Sequence, residues 1–232
     1  VLFRSLTFSI ITPTHSKKNL PFLIDLYESI CAQTCPRWEW VLYVNGELTI
    51  QDLPRDIRDD KRVRTYMGES HANVGYVKNK AFHLGKGDIL VEVDHDDLLH
   101  TSCLSRLQEA FADPHVGFAY SEDLLYDMRG PEHRIPWNPD NGWTHEWHNF
   151  RGEDYIKINS FPPTSHSIGI IWYAPDHVRA WRSSLYRALG GHNPQLNVCD
   201  DHELVIRSYL NTQFAFVPET LYYYRFLPDG NN

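Results

Sequence analysis

Asp94, Asp96 and Asp97 stand within four residues, Asp94-His95-Asp96-Asp97, directly after the run Asp88-Ile89-Leu90-Val91-Glu92-Val93. That run reads as a buried strand. Three carboxylates crowded at a strand's end repel one another, and such a cluster is suited to holding a cation. Carboxylate oxygens are hard ligands that match Mg2+ or Mn2+. In open α/β sheets, ligands bind just beyond the carboxyl ends of the strands. The sequence therefore places a metal where a phosphorylated ligand would sit. The same residues also suit an acidic turn capping the next helix, since Asp is frequent at turns and N-caps.

The elements that must position this cluster alternate. Residues 8–11 are β-rich and end at Thr12-Pro13-Thr14, and Leu20, Leu23, Ile24, Tyr27, Ile30 and Cys31 follow at helical spacing. Residues 40–44 form the next strand, closed by the turn pair Asn45-Gly46, and 62–66 a weaker one. Val74, Val77, Ala81 and Leu84 make an apolar helical stripe, with Gly85 at the C-cap. After the acidic cluster, Thr101 is placed to cap a helix with Leu104, Leu107 and Phe111 inward, and 117–121 is a further strand. This β-α-β-α order predicts an α/β domain with a mostly parallel, doubly wound sheet. From about 129 to 166 periodicity fades into a long irregular stretch, although Trp137, Trp143, Trp147 and Phe150 argue against disorder. Order resumes at 168–172. Helices are expected over 183–189, ending at Gly190-Gly191, and over 200–210, with a last strand at 214–217 leading into 221–225.

With 232 residues, the chain is long enough for one large domain or two small ones. A formal net charge of -8 argues against nucleic-acid binding, yet admits an anionic ligand whose charge a divalent cation offsets. Cys31, Cys35, Cys103 and Cys199 contain no Cys-x-x-Cys pair and read as free thiols of a reducing compartment. No run of 18 apolar residues predicts a membrane span, and no leader is evident, so a cytoplasmic location is expected.

Several stretches together resemble the family 2 glycosyltransferases of GT-A fold, a Rossmann-like architecture, from about Phe8 to Arg225. Phe8 to His15 is similar to the family's first strand and Pro-Thr-Tyr-Asn turn. Ser29-Ile30-Cys31-Ala32-Gln33-Thr34 is similar to its Ser-Ile-x-x-Gln-Thr helix end. Asn73-Val74-Gly75 with Lys78-Asn79 resembles its Asn-x-Gly...Arg-Asn helix, and Asp94 to Asp97 its Asp-x-Asp-Asp motif. Gly190-Gly191, the segment from Asp200 to Leu204, and Leu221 to Arg225 resemble its Gly-Gly-Phe, Glu-Asp-x-x-Leu and Leu-Tyr-x-Tyr-Arg elements.

The resemblance implies transfer of a sugar from a nucleotide-diphosphate donor, most readily a UDP-sugar, to a hydroxyl of a glycan or other acceptor, with inversion. It implies one domain, with about 6–125 facing the nucleotide sugar and about 126–232 facing the acceptor. Asp94, Asp96 and Asp97 would contact Mn2+ or Mg2+ or the donor ribose, and Asp201 would be the general base that takes the acceptor proton. Capping of its helix by Asp200 or Asp201 is the lesser alternative. Donor contacts are expected from Pro13, His15, Asn45, Lys78, Asp94 and Asp96. Three of these depart from the family: His15 replaces a stacking Tyr, Asn45 an Asp that contacts the base, and Lys78 an Arg. An amide both donates and accepts where a carboxylate only accepts, and Lys does not reproduce a bidentate Arg. Leu227 stands where many members carry a His near the metal. Trp137, Trp143, Trp147, Trp172 and Trp181 suit either core packing or stacking on sugar rings. Trp181 is the foremost acceptor candidate, and His177 and Arg179 suit either a place near the acceptor or the plain surface.

Two other classes compete. The departures at His15, Asn45 and Lys78 motivate a catalytically weak nucleotide-sugar or glycan-binding module. A nucleotidyltransferase of similar fold would want a Gly-rich phosphate loop early in the chain, and residues 12–18 contain no Gly.

Overall fold

Ile10 of β1 (Phe8–Thr14) and Trp40 and Leu42 of β2 (Trp38–Val44) pack on one face of the central sheet, while Ile11, Val41 and Tyr43 pack on the other. Successive side chains of a strand point to opposite faces, so both faces are apolar and each needs a helical layer. The computed structural model describes residues 5–70, 73–127, 139–171 and 174–226. The first face is covered by α1 (Leu20–Cys31), through Leu23, Leu26 and Ile30, and by Ile57 of α2 (Arg55–Asp59). After β3 (Val63–Met67), α3 (Val74–His83) covers the second face with Val77, Ala81 and Phe82. Next come β4 (Ile89–Glu92), the short β5 (Leu98–Leu99), α4 (Cys103–Ala110) and the long β6 (Val116–Asp127). The chain continues through β7 (Thr144–Phe150), β8 (Glu153–Asn159), the short α5 (Ser167–Ile170) and β9 (Arg179–Arg182). It closes with α6 (Ser183–Ala188), α7 (Asp200–Tyr209) and β10 (Gln213–Phe226). Tyr186, Leu204 and Val205 bring α6 and α7 onto the second face beside α3.

The strand order is β3-β2-β1-β4-β9-β6-β10-β5. The first four strands are parallel, as the β-α-β pattern predicts. Beyond them the sheet is mixed: β9 lies antiparallel to both β4 and β6, β10 parallel to β6, and β5 antiparallel to β10. Sequence reading missed β9 because its four residues, Arg179-Ala180-Trp181-Arg182, begin and end in arginine.

The stretch expected to be irregular contains a hairpin, with β7 paired to β8 and β8 paired to β6. Its turn is Arg151-Gly152, both at positive φ (55° and 89°), the conformation that tight hairpins prefer. Most side chains of β7 are exposed, so the hairpin carries little of the apolar alternation by which a strand is recognised. Trp137, Trp172 and Leu227 lie outside the described residues. The N-cap of α4 is Ser102 rather than Thr101, and the four cysteines are unpaired. Among the described residues, no helix is long and apolar enough to cross a membrane.

Candidate active site

A cleft of about 770 Å³ opens beyond the carboxyl ends of β1, β2 and β4, within the usual range for a small-ligand site. Pro13 and His15 line it from the end of β1, Asn45 and Gly46 from the turn after β2, Lys78 from α3, and Asp94 to Asp97 from the loop after β4. All six expected donor contacts, Pro13, His15, Asn45, Lys78, Asp94 and Asp96, therefore border one cavity. Tyr224 and Arg225 of β10 close it from the other half of the chain.

Backbone packing explains the shape of the first wall. The Asn45 N–H donates to the Thr14 carbonyl at 2.9 Å, which draws the two turns together. A Cβ on Gly46 would lie 2.3 Å from the His15 carbonyl oxygen, so only glycine permits this approach. The His15 ring sits edge-on to that of His95, with centroids 6.0 Å apart. Burial, and then His95, lower the pKa of His15 and favour its neutral form.

The three carboxylates of the acidic loop differ in their surroundings. Asp97 is 2% exposed, accepts from Tyr222 Oη at 2.6 Å, and accepts the Arg225 N–H at 2.7 Å. Both of its oxygens are thus tied to β10, so Asp97, expected as a metal ligand, also fastens the loop to the neighbouring strand. Burial, then Asp96 and Asp94, still push its carboxyl well up. Asp96 makes no hydrogen bond to another described side chain. Burial, followed by the Asp94 charge, pushes its pKa up to about 7. Asp94 is the more exposed, and Lys78 Nζ approaches it to 3.8 Å. Among the described residues, no three His, Cys, Asp or Glu side chains converge on one point. The carboxylates of the loop that carry no hydrogen bond from β10 to their oxygens are Asp94 and Asp96, two hard groups of like charge. Such a pair fits Mg2+ or Mn2+, which are commonly held by one or two carboxylates with substrate oxygens and water completing the shell.

Lys78 is not a solvated helix face. Its Nζ meets Glu92 Oε1 at 2.5 Å, and Glu92 is 1% exposed. Although burial opposes the charge, Asp94 and Glu92 raise the Lys78 pKa well above its ordinary value. Burial likewise works against ionisation of Glu92, but Lys78 and Arg179 outweigh it and hold the pKa at about 2.

Asp201 lies in the first turn of α7, outside the lining of the donor cleft. The N-cap of α7 is Cys199, at φ 58°, with no side-chain cap, so neither Asp200 nor Asp201 serves as the cap. The Asp201 Oδ2 is ion-paired to Arg179, and its Oδ1 accepts the His202 N–H at 2.7 Å. Burial opposes its ionisation, yet Arg179 and Lys78 hold the carboxyl far below the usual range. Asp200 is the contrasting neighbour: burial pushes its pKa up to about 6, and its Oδ2 has no hydrogen-bond partner.

Trp181 does not reach the surface. It is fully buried on β9, packed against Phe82, Phe118 and Tyr186, and its Nε1 donates to Ser208 Oγ at 3.0 Å. The antiparallel insertion of β9 between β4 and β6 encloses the indole, which corrects the acceptor assignment. Trp143 is buried as well, whereas Trp147 is 64% exposed on β7. Several motif residues turn out to be fasteners. Gln33 Nε2 donates to the Ser29 and His100 carbonyls, and its Oε1 accepts the Leu104 N–H. Asn79 Nδ2 donates to the Gly190 and His192 carbonyls. Glu92 was not among the expected residues, and Arg179 was named only for the acceptor side or the surface. For Glu92 the available signal was a charge closing an otherwise apolar strand, Ile89–Glu92.

The model of the family described as Glycosyl transferase family 2 matches residues 9–172. The chain belongs to glycosyl transferase family 2. This family 2 chain has the GT-A fold seen in solved relatives. One is TarS residues 1–349 of S. aureus, with TM-score 0.70 and 16% identity over 94% of this chain and 60% of that one. TarS has also been solved with UDP-GlcNAc, at TM-score 0.70, 15% identity, and 95% and 59% coverage. Another is the mannosyltransferase PcManGT of Pyrobaculum calidifontis, in complex with GDP-Man and Mn2+. Its TM-score is 0.64, with 15% identity over 97% of this chain and 58% of that one. A curated relative, the uncharacterized protein y4gI of Sinorhizobium fredii, is 22% identical over 228 residues. That match takes in 95% of this chain but 22% of the relative, so the chain spans about a fifth of that protein's length.

Proposed function

We propose that this chain transfers a sugar from a nucleoside-diphosphate donor to an acceptor hydroxyl, with inversion at the anomeric carbon. The observation that carries the reading is the meeting of all six expected donor residues around one cleft, at the strand ends where α/β sheets bind ligands. The nucleotide base would lie by His15 and Asn45, where a neutral imidazole can stack and an amide can both donate and accept. The diphosphate would lie over the acidic loop. Asp94 and Asp96 would hold Mn2+ or Mg2+, which when bound stabilises the charge of the leaving diphosphate. Lys78 supplies a fixed positive charge beside Asp94. Asp201 would accept the acceptor's proton, so that attack comes from the face opposite the leaving group. The acceptor is a glycan or another hydroxyl compound.

The TarS complex with UDP-GlcNAc supports a UDP-sugar as the first donor to test. The PcManGT complex with GDP-Man and Mn2+ supports including GDP-sugars and manganese. One observation favours a second reading, a nucleotide-sugar or glycan-binding module of weak activity: the Arg179 ion pair leaves Asp201 a poor base at rest. A nucleotide-release screen separates the two readings, using UDP-, GDP- and dTDP-sugars with Mn2+, with Mg2+ and with chelator. Metal-dependent release of one nucleoside diphosphate, lost in Asp96→Ala and in Asp201→Asn, is expected. Donor binding with turnover no greater than that of Asp201→Asn would leave the binding module.

A further inference from the structure

Glu92 and Arg179 are direct partners across the β4–β9 pairing, and both are almost inaccessible, 1% and 4% exposed. A buried ion pair inside a sheet loses hydration on both sides, and an apolar pair of similar volume is often at least as stable. Stability therefore does not explain these charges, and their contacts point elsewhere. Arg179 Nε donates to the Pro175 carbonyl at 3.0 Å, Nη1 lies 3.7 Å from Glu92 Oε2, and the same Nη1 is paired with Asp201 Oδ2. Glu92 is held in turn by Lys78, which also reaches Asp94. Five charges of alternating sign, Asp94, Lys78, Glu92, Arg179 and Asp201, thus run from the acidic loop through the core to the start of α7.

We propose that Arg179 is the positioning residue of this active site: it fixes the orientation of the Asp201 carboxylate and sets its affinity for a proton. The inference rests on the reading of Asp201 as the base. The planar guanidinium suits the role because it reaches three acceptors at once in a fixed fork, which a lysine ammonium does not reproduce. With Oδ2 held from β9 and Oδ1 held by the His202 N–H of its own helix, the carboxylate has little freedom to rotate. The charged and titratable groups acting on Asp201 are Arg179 on β9, Lys78 on α3, His192 in the loop before α7, and Asp200 and His202 on α7 itself, while Glu92 on β4 acts on Arg179. Among the described residues, Arg179 is the one whose charged side chain is in contact with a side-chain oxygen of Asp201.

The test uses the full chain carrying Arg179→Gln together with Glu92→Gln, so that the buried cross-strand pair becomes neutral rather than half-charged. Two readouts are taken. In carboxyl-carbon NMR of aspartate-labelled protein, the Asp201 signal, assigned by its loss in Asp201→Asn, is expected to titrate well below the ordinary range in the parent. In the double variant it is expected to move up toward that range. In the transfer assay, kcat is expected to fall about ten- to a hundredfold, and the acidic limb of the pH–rate profile to move to higher pH. Arg179→Lys is expected to fall between parent and double variant. A base that gains proton affinity yet turns over more slowly is the signature of lost positioning. An unmoved Asp201 titration, or an unchanged or increased kcat, would overturn the proposal. The titration can be read whether or not any donor is turned over, so failure of the transferase reading and failure of this one leave different records.

Discussion

Asp96 and Asp97 are adjacent and similarly buried, but their partners differ, and so should the consequences of removing their charges. Asp97 accepts from Tyr222 and from the Arg225 backbone. In Asp97→Asn, the amide nitrogen would meet one of those donors, leaving buried groups unpaired. A loss of about 1–3 kcal/mol is expected, measurable by urea denaturation. Asp96 has no such partner, and Asp96→Asn is expected to keep or raise stability while abolishing metal-dependent nucleotide release. The pH dependence follows from the raised pKa of Asp96, about 7 in the folded chain against about 4 when unfolded. Between those values the folded state holds a proton that the unfolded state has lost, so the contribution of this group to stability is full below about pH 4 and is lost as the pH rises to about 7. In chelator, Asp96→Asn should flatten that part of the stability–pH curve. A parallel curve for parent and variant would show that burial leaves Asp96 unperturbed. Trp181→Phe tests the corrected role of that residue: loss of the Ser208 hydrogen bond and of part of a core ring is expected to cost about 1–3 kcal/mol. Acceptor KM should stay unchanged, and a rise in it would return Trp181 to the acceptor surface.

At the scale of elements, the site depends on how closely α3 approaches the loop before α7. Asn73 caps α3 by accepting the Tyr76 N–H at 3.1 Å. The Gly75 N–H donates to the Leu196 carbonyl at 3.0 Å, and a Cβ there would lie 2.2 Å from the Asn193 carbonyl oxygen. Both neighbours are backbone, so Gly75→Ala must push the helix start outward, and Val77 and Lys78 with it. A loss of about 1–3 kcal/mol is expected from such overpacking, with weaker donor binding in the same variant; unchanged melting would mean the loop yields freely. The Asn-x-Gly motif was legible as a family feature, but this steric reason was not, because Asn193 is more than a hundred residues away. The same distinction runs through the whole reading. The helix of 20–31 and the acidic loop were legible because each is declared by neighbouring residues: apolar periodicity in one, charge abruptly following an apolar run in the other. The β7–β8 hairpin lacked that signal because most of its β7 side chains face water. Trp181 was misassigned because β9 is buried only by its position between β4 and β6, which local sequence does not encode. The Glu92–Arg179 pair depends on cross-strand register, and register emerges only once the sheet is assembled.

For the whole molecule, the decisive feature is that the cleft draws on both halves of the chain. Pro13, Asn45, Lys78 and Asp94 come from the first half and Tyr224 and Arg225 from the last strand. Asp97 bonds residues 125 and 128 positions away. A ligand in the cleft would therefore bear on the parallel half of the sheet and the mixed half together, and should stabilise the chain as one unit. UDP with Mn2+ at about a hundred times the dissociation constant is expected to add about 2.7 kcal/mol. For a domain of this size that corresponds to a rise in Tm of about 5–11 °C, within a single transition. The order of addition carries further information. If Asp94 and Asp96 hold the cation together with diphosphate oxygens, Mn2+ and UDP should each stabilise more in the presence of the other, because the coupling between two ligands is reciprocal. Chelator should then remove most of the UDP effect. Equal UDP stabilisation with Mn2+ and with chelator would overturn metal dependence while leaving the cleft as a nucleotide site. In that case Lys78, already fixed beside Asp94, would be the charge left to meet the diphosphate.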